Sequence, residues 1–324
     1  MPEGVEPGYL LQPNPVGEAH VHQGAVQVQR DPLPHASSLP PFLPKYLPPG
    51  GLYLRRGERG KVPGRTKKRL PALLKPKRKE RGVEIRPREA RVIGVFSCKG
   101  GVGKTTVVSN LASSLVDLKR KVLAVDANLG APNLGLHFGE LTPKVTIHDV
   151  ISSGLPIREA VLHIQGVPMV LGSIAYEDEV RPVDLRELLS PLKRDYELIL
   201  LDSAPGIGSE VVAALKACTG MIIVTNPYVP TIASTLKTFR AAEKYRIPIL
   251  GVVVNRVAGE PFELSLGEIR EALGWPVIGV IPEDRRVRES TAAGIPVVKY
   301  RPRARAAKEL KKLASFLSEH LKSL

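Results

Sequence analysis

From residue 91 onward, short β-branched runs alternate with stretches whose apolar positions recur three and four apart. The runs at 91–97, 121–126, 197–202, 220–225, 248–254 and 276–281 have the length and composition of buried strands. Between and after them, 104–118, 208–218, 230–245, 263–273 and 303–323 carry helical periodicity. In the first of these, Val107, Leu111, Leu115 and Leu118 fall on one face. Along the stretch Arg305 to Leu324, Leu310, Leu313, Leu317, Leu321 and Leu324 line one side opposite Lys308, Lys311 and Lys312. A terminal helix of this kind packs on a domain core more often than it lies on a membrane surface. The alternation predicts an α/β fold, a mostly parallel sheet with helices on both faces. Ligand-binding residues of such a sheet gather at the carboxyl ends of its strands.

The pattern fails before residue 91, and composition changes with it. Residues 1–91 hold 15 of the 30 prolines and few periodic apolar faces. Such a segment buries too little surface to offset its ordering entropy. The reading is therefore a Pro/Lys/Arg-rich, largely disordered extension over 1–90, followed by a folded domain over 91–324. Within the extension, residues 55–91 carry 16 Lys or Arg against 4 Glu. The chain's net charge of +15 thus belongs mainly to this arm, which is either a solvated linker or a contact for nucleic acid or an anionic membrane surface. No apolar run is long enough to span a membrane, and the start lacks the order of a secretory signal, so a cytoplasmic protein is expected. Cys98 and Cys218 are the only cysteines and form no metal-ligand spacing, with Cys218 placed on a helix face.

Chemistry concentrates where the first strand meets the first helix. Residues 97–106 read Ser-Cys-Lys-Gly-Gly-Val-Gly-Lys-Thr-Thr. Gly100, Gly101 and Gly103 let successive backbone N–H groups turn inward around an anion, and the helix that follows aims its positive end at the same point. A strict G-x-x-x-x-G-K-[ST] loop would place glycine at 98, where this chain has Cys98. Gly103-Lys104-Thr105 and the strand–loop–helix context are intact, which marks a nucleotide-phosphate site. Two other strands end in aspartate: 121–126 in Asp126, and 197–202 in Asp202 followed by Ser-Ala-Pro-Gly206. An apolar strand closing on aspartate beside a lysine loop is how such sites hold Mg2+, with Asp202 acting through water and the Thr105 hydroxyl binding directly.

Taken in order, Lys99-Gly-Gly-Val-Gly-Lys104-Thr-Thr, Asp126-Ala-Asn-Leu-Gly followed by Asn133-Leu-Gly135, Asp202-Ser-Ala-Pro-Gly206, Thr225-Asn-Pro227, Asn255-Arg256 and Val280-Ile-Pro-Glu-Asp284 resemble the MinD branch of the MinD/ParA family of deviant-Walker ATPases. The likeness spans about residues 91 to 310. It implies a P-loop NTPase fold and an ATP-dependent homodimer with two nucleotides at its interface. It gives Lys99 the role of reaching the partner's phosphates and Lys104 that of holding the β- and γ-phosphates of its own nucleotide. Gly100, Gly101, Val102 and Gly103 form the cradle, Thr105 meets the metal, and Thr106 meets the α-phosphate. Asp126 and Asp202 stand behind the metal, Gly206 senses the γ-phosphate through its N–H, and Asn255 reads the adenine edge. Arg256 and the Pro282-Glu283-Asp284 turn close over the base.

One position departs from the pattern. Many MinD-like proteins have an aspartate where this chain has Asn128, and an amide orients water without accepting its proton. The resemblance therefore implies an ATPase that is slow or needs a partner protein to stimulate it. The leading expectation is a dimeric switch that uses ATP and Mg2+ to position a cellular structure, such as a division or surface machine, and that is cytoplasmic or peripheral at membrane or nucleoid. The alternative is a nucleic-acid-binding partition or scaffold protein in which ATP binding matters more than hydrolysis.

Overall fold

A computed structural model describes residues 89–176 and 183–323. The expected extension over 1–90 lies outside the described residues except for its last two positions. Eight strands form one sheet: β1 Arg91–Phe96, β2 Val122–Ala127, β3 Val161–Ile164, β4 Val167–Val170, β5 Leu198–Ser203, β6 Gly220–Thr225, β7 Ile249–Val257 and β8 Val277–Pro282. Their order is β3-β4-β2-β5-β1-β6-β7-β8, and every pairing is parallel except β3 with β4. The six runs expected as strands are all strands of this sheet. The β3–β4 hairpin was not anticipated. Its strands are four residues each, and its turn rests on Gln165 and Gly166, both at positive φ, which matches hairpin twist but leaves a faint sequence signal.

Both faces are covered, as the near-continuous apolar strands require. Val92, Phe96, Leu123, Val125, Ile199 and Leu201 point to one core. That core is shared with α3 Leu185–Leu189, α4 Ser209–Ala217, α5 Val229–Lys244 and α6 Leu266–Leu273, and with α2 Ile147–Ser153. Ile93, Val95, Ala124, Leu198, Leu200 and Val224 point the other way, onto α1 Lys104–Asp117, α8 Val297–Tyr300 and α9 Arg305–Ser323. The helix α7 Arg285–Ala292 precedes α8.

Leu310, Leu313 and Leu317 are buried, so α9 packs on the core as expected; the side chains of Leu321 and Leu324 lie outside the described residues. On α1, Val107, Leu111 and Leu115 are buried but Leu118 is 45% exposed, because the helix ends at Asp117 and Leu118 is its C-cap. Cys218 also sits at a helix end: it is the C-cap of α4, buried, with its thiol donating to the Ala214 carbonyl. No helix among the described residues is long and apolar enough to cross a membrane.

Register is what brings the chemistry together. Asp126 stands beside Asp202 across β2 and β5, and Val95 stands beside Asp202 across β1 and β5. Both aspartates therefore end neighbouring strands next to the loop that leaves β1.

Candidate nucleotide site

The loop between β1 and α1 is shaped by its glycines. Gly101 has φ 77° and nothing near the position of a Cβ, so its glycine is needed for conformation alone. Gly103, at φ 100°, caps α1 without any side chain, and a Cβ there would lie 2.2 Å from Asn255 Nδ2. Conformation and space both demand glycine at 103. The first turn of α1 consequently opens toward the loop with no capping side chain, which leaves its N–H groups available to an anion.

The two lysines have opposite surroundings. Lys104 is 8% exposed and donates to Ser97 Oγ at 3.1 Å. Burial lowers its pKa, and the neighbouring Asp202 carboxylate partly offsets that. Lys99 is exposed and makes no ion pair among the described residues. Thr105 and Thr106 are half-buried at the start of α1.

Asp202 is 1% exposed, and neither of its carboxylate oxygens has a hydrogen-bond partner. Burial pushes its pKa up to about 6, against the pull of the Thr105 hydroxyl and the Lys104 ammonium nearby. Two orphaned acceptors beside a hydroxyl and a lysine fit a hydrated divalent cation, which would supply the missing donors through its water. Asp126 differs. Its Oδ1 accepts from Asn128 N, and its Oδ2 accepts from Asn133 N and Leu134 N, both at 2.9 Å. Burial and the Asp202 charge push its pKa upward, and these three N–H groups oppose the rise. Asp126 thus moulds the 128–134 loop with its own oxygens, and it neighbours Asp202 as the register requires. Asn128 is 9% exposed and its amide nitrogen donates to the Ala131 carbonyl, closing the same loop.

The other residues named from the sequence have several of their groups engaged within the protein. Gly206, at φ 90°, donates its N–H to the Ser97 carbonyl at 3.2 Å. A γ-phosphate at that N–H would have to replace this bond. Asn255 Nδ2 donates to the Val102 carbonyl at 2.7 Å, joining the end of β7 to the phosphate loop. Arg256, at φ 59°, occupies an irregularity in the β7–β8 pairing and lies 4.0 Å from Glu283. Pro282 ends β8, and Glu283 donates its N–H to the Val257 carbonyl. Asp284 caps α7 and also accepts from Ala306 N, so its carboxylate is spent on the fold.

Two residues that the sequence motifs contain, without a role of their own, prove to be connectors. Ser97 receives Lys104, donates to the Lys99 carbonyl and accepts from Gly206, linking both lysines to the 203–208 loop. Asn226 donates to the Asn255 carbonyl at 2.9 Å and to the Val102 carbonyl at 3.4 Å. Serine after a strand and asparagine before proline are common loop chemistry, so their place in a motif does not by itself give them a role.

A lysine-bearing glycine loop between β1 and α1, faced by an unpartnered carboxylate at the end of the adjacent strand, defines a P-loop nucleotide-binding α/β protein. Comparison with known proteins narrows the class. Residues 88–318 match the ParA family, described as a NUBPL iron-transfer P-loop NTPase. Over 231 residues the chain is 35% identical to an uncharacterized ATP-binding protein of Methanocaldococcus jannaschii, covering 70% of this chain and 88% of that one. Among solved structures, the cell division ATPase MinD of Pyrococcus furiosus is 35% identical with a TM-score of 0.68, covering 71% of this chain and 99% of that one. The septum site-determining protein MinD of Pyrococcus horikoshii, complexed with Mg-ADP, is 34% identical with a TM-score of 0.68, covering 70% and 96%. The chain belongs to the MinD/ParA family of P-loop NTPases.

Proposed function

We propose that the chain is an ATP-binding, slowly hydrolysing ATPase that acts as an ATP-dependent dimeric switch in positioning a cellular structure. The observation that carries this reading is the division of labour within one loop: Lys104 is buried beside Asp202, while Lys99 is exposed and without an ion partner among the described residues. A buried lysine serves the nucleotide of its own chain. An exposed one is free to reach a nucleotide held by a second copy and to neutralise charge that develops between the β- and γ-phosphates. Mg2+, held by Thr105 and through water by Asp202, would neutralise phosphate charge when bound. The protein supplies the glycine cradle and the loop around Asn128, which excludes bulk water from the buried carboxylates.

The iron-transfer description of the matched family has less support in this chain. Cys98 lies at the carboxyl edge of the sheet after β1, and Cys218 is buried at the opposite edge before β6. Two copies of the chain would offer at most two thiols at the carboxyl edge, half of the four that an iron–sulfur cluster takes. The scaffold reading, with nucleotide bound and rarely hydrolysed, is favoured by one feature, the Asn128 amide spent on Ala131.

The deciding experiment is sedimentation with ADP, then with ATP and Mg2+, with phosphate release followed in the same samples. A dimer with ATP alone and slow release is the expected result; a mass independent of nucleotide sinks the switch and leaves the scaffold. Lys104→Ala should abolish nucleotide binding, whereas Lys99→Ala should keep binding and lose dimerisation or turnover. Equal loss of nucleotide affinity in the two variants refutes the two-lysine assignment.

A further inference from the structure

Asn255 is 5% exposed and Asn226 is 7% exposed, and both donate to the same carbonyl, that of Val102 in the phosphate loop. Chemistry settles which way the Asn255 amide faces. A carbonyl only accepts, so the nitrogen must be the end turned to Val102, and the oxygen is turned away from it. That Oδ1 receives no hydrogen bond among the described residues, nor is it one of the sealed, unpartnered polar atoms. It is an acceptor open to a ligand. Asn226 keeps the arrangement in register: its single amide nitrogen grips the Asn255 backbone carbonyl at 2.9 Å while sharing Val102. A flip of the Asn255 amide would set oxygen against oxygen at Val102, and Asn226 prevents the end of β7 from drifting away to relieve it.

We propose that Asn226 is a positioning residue for base selectivity: acting through Asn255 and the Val102 carbonyl, it fixes an outward acceptor that selects a purine with an exocyclic amine over one with an exocyclic oxygen. The inference rests on the nucleotide site proposed above. A site built around a fixed acceptor strongly rejects a ligand that offers another acceptor there, because both are left unpaired. The selectivity thus originates in a backbone carbonyl of the phosphate loop, and the strand that meets the base transmits it.

The test compares equilibrium binding of ATP, ITP and inorganic tripolyphosphate, each with Mg2+, to the full chain. ATP and ITP differ at the exocyclic position, amine against oxygen, and tripolyphosphate has no base. Wild type should favour ATP over ITP by roughly tenfold or more, the worth of one good hydrogen bond. In Asn226→Ala, and in the isosteric Asn226→Asp, which cannot donate, that ratio should fall to about twofold or threefold, with ATP affinity falling further than tripolyphosphate affinity. An unchanged ratio in both variants overturns the proposal. So does a parallel loss of ATP, ITP and tripolyphosphate, which would make Asn226 a support of the phosphate loop alone. Wild type binding tripolyphosphate with no preference between ATP and ITP refutes this inference but leaves the phosphate site standing. Wild type binding none of the three refutes the nucleotide site itself.

Discussion

Asp202 is expected to be bad for the stability of the nucleotide-free protein. Both of its oxygens are buried without a partner, and burial lifts its pKa from 3.8 to about 6. Because burial and the Asp202 charge also raise the neighbouring Asp126, the cost of ionising the folded protein belongs to the pair and is on the order of a few kcal/mol. The folded-state value lies above the unfolded one, so the cost is complete above pH 6, shrinks as pH falls through 6, and is gone below the unfolded value. Asp202→Asn removes the charge and also deprives buried Lys104 of the carboxylate that offsets its own burial, which returns part of the gain. The net expectation is a variant more stable by about 1–2 kcal/mol at pH 8. Urea unfolding with a chelator present at pH 8 and pH 5 measures it, and the gap should narrow by about 1 kcal/mol at the lower pH. With Mg-ATP added, the midpoint of wild type should rise and that of the variant should stay put. A variant less stable than wild type at pH 8, or a gap indifferent to pH, refutes the reasoning.

Gly103→Ala combines a backbone at φ 100° with a Cβ 2.2 Å from Asn255 Nδ2, and should cost about 2–4 kcal/mol in unfolding. Adding Asn255→Ala should recover part of that loss, and strict additivity would show that the contact is not the cause. His148 donates through Nε2 to the Leu129 carbonyl and accepts the Ser173 N–H at Nδ1, so protonation sets a new N–H against an existing one. Burial lowers its pKa below the unfolded value, against the opposing Asp149 and Glu210 charges. Its share of stability is therefore present above that value and lost as pH falls through it. His148→Gln should flatten the fall in Tm between pH 7.5 and pH 5, and an equal fall in both proteins would count against the assignment. Asn128→Asp would turn a carboxylate oxygen to the Ala131 carbonyl beside the Asp126–Asp202 pair, so phosphate release should be no faster than in wild type. A several-fold faster release with unchanged stability would mean that the loop accepts a base.

The parallel core was legible because its strands are buried on both faces, and such strands announce themselves as apolar runs of the right length. Edges were less so. The β3–β4 hairpin carries Pro168 and half-exposed positions such as Val161, Leu162 and Ile164, and four-residue strands offer too few alternations to separate from loop. The segment Arg285–Tyr300 was missed for a different reason. Its two helices are short, α7 buries only Ser290, and its start is fixed by Asp284, which also holds α9 through Ala306 N. That tie crosses 22 positions and has no local signature.

The site separates in the same way, by the range of the interactions that make it. Gly101, Gly103 and Lys104 belong to one local motif whose spacing is itself the chemistry, so sequence alone places them. The role of an amide or carboxylate depends on what faces it. Asp126 reads as a metal-side carboxylate, yet both of its oxygens are taken by backbone N–H groups of a loop two to eight residues ahead. Asn128 reads as a lost base, yet its nitrogen is the clasp that closes this loop on Ala131. The two facts bear on each other. The Ala131 carbonyl accepts from both Asn128 Nδ2 and Asn133 Nδ2, and aspartate at 128 would set an acceptor where one of these donors stands. The asparagine is thus the residue that fits this loop geometry, and the slow hydrolysis proposed above would follow from a well-closed loop rather than from a missing proton acceptor. Faster turnover would then come from whatever opens that loop, and a partner protein pressing on residues 128–134 is the simplest agent to do so.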